Sequence, residues 1–174
     1  MKTATRIVFN FIREEHPLGR IINREEVQAL ASQLGDRLGM SEPELDFTPT
    51  SLKRLEEKLI ELPKKTDIQN FSDEEIARLV REVAAYVGEV LVLHAGGKWR
   101  PLKDLWSTHV VFEGDIRIIK EGRQRVAPSI AFSLGAIGAS AWDMISLGKK
   151  PSLYKDYRSA KKKMVKEELK SNSD

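Results

Sequence analysis

The sequence predicts an α+β fold in which helices come first, a small antiparallel sheet follows and a helix ends the chain. Apolar residues recur at helical spacing up to His94. After the pair Gly96–Gly97 the chain changes to short runs rich in Val, Ile, Trp and Phe. Residues 152–170 return to helical spacing and carry many lysines.

Two helices are predicted in the first 40 residues. An amphipathic stretch over 3–15 ends before Pro17, because proline disfavours helical backbone in the residue before it. The second helix follows Asn23, which stands three residues before Glu26 in the spacing of a capping box. Gly39 is suited to end it, since glycine readily adopts the left-handed backbone of a helix C-terminus.

Two more helices are predicted before the glycine pair. Thr48 can cap the third helix, which Pro63 is expected to close. The fourth is the longest and runs from about residue 73 to 94, with Ser72 and Glu75 in capping-box spacing. Its apolar stripe repeats at helical spacing, which indicates that one face is buried.

The runs KWRPL, STHVVFEG, DIRIIKEG and RQRVAP predict a small antiparallel meander of three or four strands after residue 96. Glu-Gly and Gly-Asp pairs between them suit tight hairpins. Pro128 is expected to end the meander and to open a helix. A basic amphipathic helix then finishes the chain.

The length of 174 residues fits a single domain over 1–174. Within it we expect a helical N-terminal extension over 1–40, a core over 45–148 and a basic C-terminal helix over 149–174. The sequence has no cysteine, which excludes disulfides, thiolate metal sites and cysteine nucleophiles.

The sequence shows no clear export signal at its N-terminus and no clear membrane-spanning segment. The N-terminal apolar run is short and is soon followed by charges, unlike a signal peptide. The most membrane-like window, 129–148, is interrupted by Asp143 and by several serines and glycines. The sequence therefore predicts a cytoplasmic protein.

Three segments in a fixed order resemble a family of uncharacterised bacterial proteins of unknown function. They are LDFTPTSL (45–52), AYVGEV (85–90) and GGKW (96–99), which fit the patterns D-[FY]-[ST]-x-x-S-L, Y-x-G-E-[VI] and GG-x-W. The resemblance covers about residues 45–160 and implies no activity. In architecture the family is similar to some bacterial immunity and secretion-associated domains, which implies a protein-binding role.

The turn after the fourth helix is a candidate structural corner or binding site. We expect the helix to end near His94, with positive φ at Gly96 or Gly97. Trp99 is then expected to fold back over the helix, near Tyr86 and Val90. The candidate residues of this corner are Tyr86, Gly88, Glu89, Gly96, Gly97, Trp99 and Arg100.

Two residues on the long helix decide between these alternatives. Gly88 continues a line of small residues with Ala77 and Ala84, which indicates close approach of another backbone. Glu89 shares a face with Arg78, Glu82 and Ala85, and this face is expected to lean towards solvent. Glu89 would then meet Arg100 or a strand N–H, or alternatively face a ligand.

No catalytic, metal-binding or cofactor-binding set is predicted. The three histidines, His16, His94 and His109, have no metal-ligand spacing. Whether the chain is an enzyme is left open, with a non-enzymatic role favoured. Carboxylates are plentiful, but sequence alone does not pair them for acid–base chemistry.

The C-terminal helix concentrates positive charge. Residues 149–174 carry 9 Lys and Arg against 4 Asp and Glu, whereas residues 1–148 carry 20 against 22. A solvated helix face is the favoured interpretation, and contact with nucleic acid or an anionic membrane is the alternative. The candidate anion contacts are Lys155, Arg158, Lys162 and Lys166.

These observations favour a non-enzymatic protein-binding domain, possible versions being an adaptor or a toxin-neutralising, immunity-like protein. Its expected partner is another protein. Two alternatives stay open: a small enzyme or ligand binder that uses the cleft between the long helix and the meander, and nucleic-acid contact through the basic tail. The sequence does not identify the partner or the oligomeric state.

Overall fold

The computed structural model describes residues 3–112, 117–120, 123–126 and 130–171. Six helices form within these ranges. Their bounds are α1 Ala4–Arg13, α2 Val27–Leu38, α3 Pro49–Lys65, α4 Asp73–Ala95, α5 Leu134–Ser146 and α6 Leu153–Ser171. Among the described residues, no helix is both long and apolar enough to cross a bilayer.

Five short strands lie between α4 and α5: β1 Lys98–Arg100, β2 His109–Phe112, β3 Arg117–Lys120, β4 Arg123–Val126 and β5 Ile130–Ser133. The strands β1, β2 and β5 form an antiparallel sheet with β2 in the centre. The strands β3 and β4 pair with each other in a separate antiparallel hairpin. The predicted α+β class, with helices first and a helix last, is confirmed.

The order of strands in the sheet differs from that of a simple meander. The partner of β2 is β5, with Val110 opposite Phe132, so the β3–β4 hairpin is inserted between two paired strands. The segment 130–133 was expected to belong to a helix opened by Pro128, which itself lies outside the described residues. It forms a strand because Phe132 packs edge-to-face on Phe112 of β2, and Ser133 instead caps α5.

Two of the predicted helix boundaries need correction. Asn23 makes no side-chain capping bond, and a short 3₁₀ turn over Arg24–Glu26 precedes α2, because the Glu26 carboxylate bonds to Arg81 instead. Pro63 lies inside α3, which continues to Lys65. Proline lacks a donor and its ring crowds the carbonyl four residues earlier, yet the helix continues past it and the Thr66 N–H bonds to the Leu62 carbonyl at 3.0 Å.

The other boundary signals act as predicted. Ser72 and Glu75 form the capping box of α4, and Thr48 caps α3. Gly39 ends α2 with a φ of 63°. These features depend on residues near in sequence, which is why local patterns were sufficient to find them.

The core is built around α4, in which every residue from Leu79 to Leu91 is buried. The surrounding helices and the sheet contribute apolar side chains to one continuous cluster. Residues 4–40 belong to this cluster as well, through side chains such as Ile7 of α1 and Leu34 of α2. The segment expected to be an extension thus packs within the common core.

The helices α5 and α4 approach each other closely at Gly138. A Cβ added to Gly138 of α5 would lie 2.2 Å from the Val80 carbonyl oxygen of α4. A Cβ added to Gly135, one turn earlier, would lie 2.9 Å from the Leu105 carbonyl oxygen and 3.0 Å from the Trp106 Cα. Both glycines therefore allow close helix packing, as expected for small residues on a helix surface.

We expect Gly138→Ala to destabilise the fold by roughly 1 to 3 kcal/mol, because a backbone oxygen on α4 must move. Ser140→Ala is the matched control, since Ser140 is an exposed residue of the same helix. The control should be neutral or slightly stabilising through helix propensity. Urea denaturation of both variants measures the difference, and equal midpoints would show that α5 can shift without cost.

Candidate functional site

The corner after α4 forms as the sequence predicted. The helix ends at Ala95, and Gly96 takes the left-handed conformation with a φ of 75°. The Gly97 N–H donates a hydrogen bond to the Leu91 carbonyl, at 3.3 Å. A Cβ on Gly97 would lie 2.3 Å from the Val110 side chain, so a larger residue would push β2 away from the turn.

Trp99 on β1 folds back onto α4, as expected, and contacts Gly88 and Glu89 there. A Cβ added to Gly88 would lie 2.6 Å from the Trp99 ring and 2.7 Å from Leu134. The missing side chain at position 88 thus leaves the space into which the indole fits. The predicted close approach at Gly88 is made by these two side chains rather than by a backbone.

The surroundings of Glu89 differ from the expectation. Its side chain is only 9% exposed, and its carboxylate accepts hydrogen bonds from Trp99 Nε1 at 2.7 Å and from Arg24 Nη2 at 2.8 Å. The expected partner Arg100 is exposed, opposite His109 in the β1–β2 ladder. Hydrogen bonding to Glu89 raises the pKa of the Arg24 guanidinium.

The solvent-leaning face predicted on α4 is in fact covered. Glu82 and Ala85 are buried along with Glu89, and of the four residues only Arg78 is exposed. Glu82 accepts two hydrogen bonds from Arg37 of α2, at 2.8 and 2.9 Å. The prediction failed because α2 and the turn before it pack over this face.

Arg81 is a further buried charge that sequence reasoning missed. Its guanidinium donates to the backbone carbonyls of Arg20 and Ile21, at 2.7 and 2.8 Å, and to the Glu26 carboxylate. The only sequence signal was a run of charged residues within a helix that is otherwise apolar. All of these hydrogen-bond acceptors belong to the chain itself, which indicates a structural role for Arg81.

Tyr86 is fully buried and contacts Phe47 and Ser51. Its hydroxyl bonds to the Ser51 hydroxyl and accepts the Phe47 N–H at 3.0 Å, while its ring stacks on Phe47 at 4.8 Å. Phe47 has a φ of 54°, a left-handed conformation that is costly for a large side chain. Burial raises the pKa of the Tyr86 hydroxyl.

The basic face of α6 is only partly supported as a contact surface. Lys155, Arg158 and Lys162 are exposed, and the Lys166 side chain lies outside the described residues. The aromatic residues of α6 are engaged elsewhere: Tyr157 is buried, and Tyr154 packs under Lys53 Nζ at 4.4 Å. The exposed cations therefore have no neighbouring aromatic of α6 on which a base could stack.

A surface aromatic pair, of which Phe9 is exposed and Trp106 is partly buried, is the feature that sequence reasoning did not find. Phe9 of α1 is 43% exposed, and its ring lies 4.8 Å from that of Trp106 in the loop before β2. The available signal was that Phe9 lies off the buried stripe formed by Ala4, Ile7 and Val8. Its partner in the distant loop gave no local signal.

The turn that carries Trp106 is held by many hydrogen bonds. Asp104 accepts the Ser107 N–H at 2.8 Å, and the Trp106 carbonyl accepts the Ser133 hydroxyl at 2.6 Å. Thr108 joins the turn to β5 and α5 through the Leu134 N–H, at 3.0 Å. The indole is thus presented on a fixed backbone.

Three clefts on the described surface lie away from the corner. One of about 440 Å³ is lined by α2 and the segment 40–47, one of about 420 Å³ lies beside the Arg37–Glu82 pair, and one of about 340 Å³ lies beside Trp142. None of the three is lined by Glu89 or Trp99. Within the described part of the chain, no three His, Asp or Glu residues cluster as metal ligands.

A comparison with protein-family models, curated proteins and solved structures found no match to this chain. The family resemblance therefore stays a prediction. The structure does show that its three segments meet on α4: residues 45–52 contact Tyr86, and Trp99 of the last segment contacts Gly88 and Glu89. The joint occurrence of the three segments in the sequence is thus consistent with their packing against one another in the fold.

We expect Tyr86→Phe to lower the free energy of unfolding at neutral pH by roughly 1 to 2 kcal/mol, because the Phe47 N–H loses its acceptor. Because the pKa of Tyr86 is raised in the folded state, its protonated hydroxyl stabilises the fold fully below the ordinary tyrosine pKa of about 10. This stabilisation is lost as the pH rises through the folded-state pKa.

Urea titrations from neutral to alkaline pH measure both effects. The wild type should lose stability above pH 10 more steeply than Tyr86→Phe. Tyr154→Phe is the control, since its ring is only half-buried. Parallel alkaline slopes for the wild type and Tyr86→Phe would contradict the assignment.

Replacing Gly88 with leucine should cost roughly 1 to 3 kcal/mol or more, because Trp99 and Leu134 occupy the space. In a Trp99→Ala background the penalty should shrink, since the indole no longer blocks the new side chain. A double-mutant cycle in urea measures this coupling. Additive effects would mean that Trp99 does not fill the groove over Gly88.

Proposed function

We propose that this chain is a non-enzymatic protein-binding domain, as an adaptor or a toxin-neutralising protein, and that it binds its partner through the surface formed by Phe9 and Trp106. The aromatic pair of exposed Phe9 and partly buried Trp106 carries the proposal. Aromatic residues are enriched at protein interfaces and frequently supply most of the binding free energy.

The way in which the fold holds these two rings in place supports the proposal. Trp106 lies on a turn that is hydrogen-bonded to Ser133 and Thr108, and Phe9 extends from a helix whose opposite face is in the core. Little conformational entropy is lost when such a surface binds, which favours affinity. Leu93 is also exposed, in the last turn of α4, but it is aliphatic and leucine is under-represented among the residues that dominate binding free energy.

The corner around Glu89 gives less support to an enzyme or ligand-binding role. Its carboxylate is saturated by Arg24 and Trp99, both from the chain itself, and the indole occupies the groove over Gly88. A general base or a ligand-binding carboxylate needs an open approach to the group. The buried charges of α4 are accordingly assigned to the fold.

The test is affinity capture from the source cells with wild-type protein and two variants. Phe9→Ser removes the exposed ring, and Leu147→Ser is the matched control, because Leu147 is 63% exposed at a distant helix end. A specific partner should be retained by the wild type and the control and lost with Phe9→Ser. With the purified partner, Phe9→Ser should weaken binding at least about tenfold.

Melting curves check that both variants remain folded, which is expected because both side chains are on the surface. Retention of the same proteins by all three forms would contradict the proposed surface. Turnover of a small molecule by the wild type, without any retained protein, would contradict the proposed function as a whole.

A further inference from the structure

Two arginines share the exposed face of α1 with Phe9. Arg6 and Arg13 are exposed, and together with Phe9 they fall at positions i, i+3 and i+7, which lie on one side of a helix. Among the described residues, neither arginine forms an ion pair, in contrast to the paired arginines at 24, 37 and 81. These two charges are therefore available to a partner.

The spacing of the charges follows from helix geometry. Seven residues at about 1.5 Å each separate Arg6 from Arg13 by about 10 Å along the axis. Phe9 lies between them and Trp106 packs at its side. The surface thus has the order cation, aromatic pair, cation.

Asp104 and Asp143 form hydrogen bonds within the chain, and among the described residues neither forms an ion pair with Arg6 or Arg13. The Asp104 carboxylate is taken up by the Ser107 N–H and hydroxyl, at 2.8 and 2.9 Å, and Asp143 accepts the Ala4 N–H at 2.9 Å. Glu14 and Glu15 are exposed just beyond Arg13. They would repel a long polyanion that continued past Arg13, so the favourable region is short.

We infer that the partner presents an acidic segment with two carboxylates about 10 Å apart and an apolar side chain between them. The carboxylates pair with Arg6 and Arg13, and the apolar side chain packs on Phe9 and Trp106. In a helical partner this corresponds to acidic residues at i and i+7, with the apolar residue at i+3 or i+4. The inference rests on the proposed function and names the chemistry of the partner.

A protein segment fits this surface better than a nucleic acid does. Interfaces with nucleic acids are strongly positive, whereas residues 1–148 carry 20 Lys and Arg against 22 Asp and Glu. The two aromatic rings pack on each other, tilted by 39°, and so share part of the area that stacked bases would need. Two isolated arginines suit two carboxylates, to which guanidinium groups bind with two hydrogen bonds each.

The experiment measures fluorescence anisotropy of labelled, alanine-rich helical peptides with the full-length protein. The first peptide has Glu, Leu and Glu at i, i+3 and i+7, the second has Gln in place of both Glu, and the third keeps both Glu but at i and i+1. The first should bind at least about tenfold more tightly than the others, with an affinity that falls between about 50 and 200 mM salt.

Two charge variants locate the binding site. Arg6→Gln combined with Arg13→Gln should abolish the preference for the first peptide. Arg158→Gln combined with Lys162→Gln removes the same charge from the exposed face of α6 and should leave the preference unchanged. Circular dichroism confirms that both double variants are folded.

Equal or undetectable binding of all three peptides would overturn the inference, as would tighter, Arg6- and Arg13-dependent binding of a labelled oligothymidine. The affinity capture separates this inference from the proposed function. If a partner is lost with Phe9→Ser but retained by the Arg6→Gln, Arg13→Gln double variant, the proposed function holds. Only the inference of an acidic segment is then contradicted.

Discussion

The fold depends on three charged side chains that are buried on α4: Arg81, Glu82 and Glu89. Burying a charge costs several kcal/mol unless the group is paired and hydrogen-bonded. All three find ionic partners within the 20–37 segment, at Glu26, Arg37 and Arg24. Because one uncompensated buried charge is strongly destabilising, this segment is tied to α4, which in turn anchors the N-terminal part of the chain to the core.

The same segment also positions the aromatic surface. The Leu105 N–H bonds to the Gly19 carbonyl at 2.9 Å, and the Ile22 N–H bonds to the Thr108 hydroxyl at 3.2 Å. The turn that carries Trp106 is thus attached to the residues just before the first buried ion pair. The proposed binding surface combines α1 with a loop nearly a hundred residues later, and its geometry depends on the ion pairs of α4.

Features determined by neighbours in sequence were predictable, whereas features determined by distant partners were not. The α4 capping box and the left-handed Gly96 follow from local chemistry, and both were found. Glu82 and Glu89 were assigned to solvent because a helical pattern shows which residues are charged but not what covers them. Phe9 was overlooked for a related reason, since its significance comes from Trp106, which sequence spacing does not bring near. The functional proposals therefore rest on the structure more than on the motifs.

The way in which β2 pairs with β5 has a consequence for the engineering of this protein. Phe112 lies directly opposite Ile130, so the chain leaves the sheet and returns to it at a single place. Among the described residues, β3 and β4 pair only with each other. The register of the main sheet therefore does not depend on the length of the hairpin. We therefore expect that a reporter can be grafted at this hairpin while the helical body keeps its architecture.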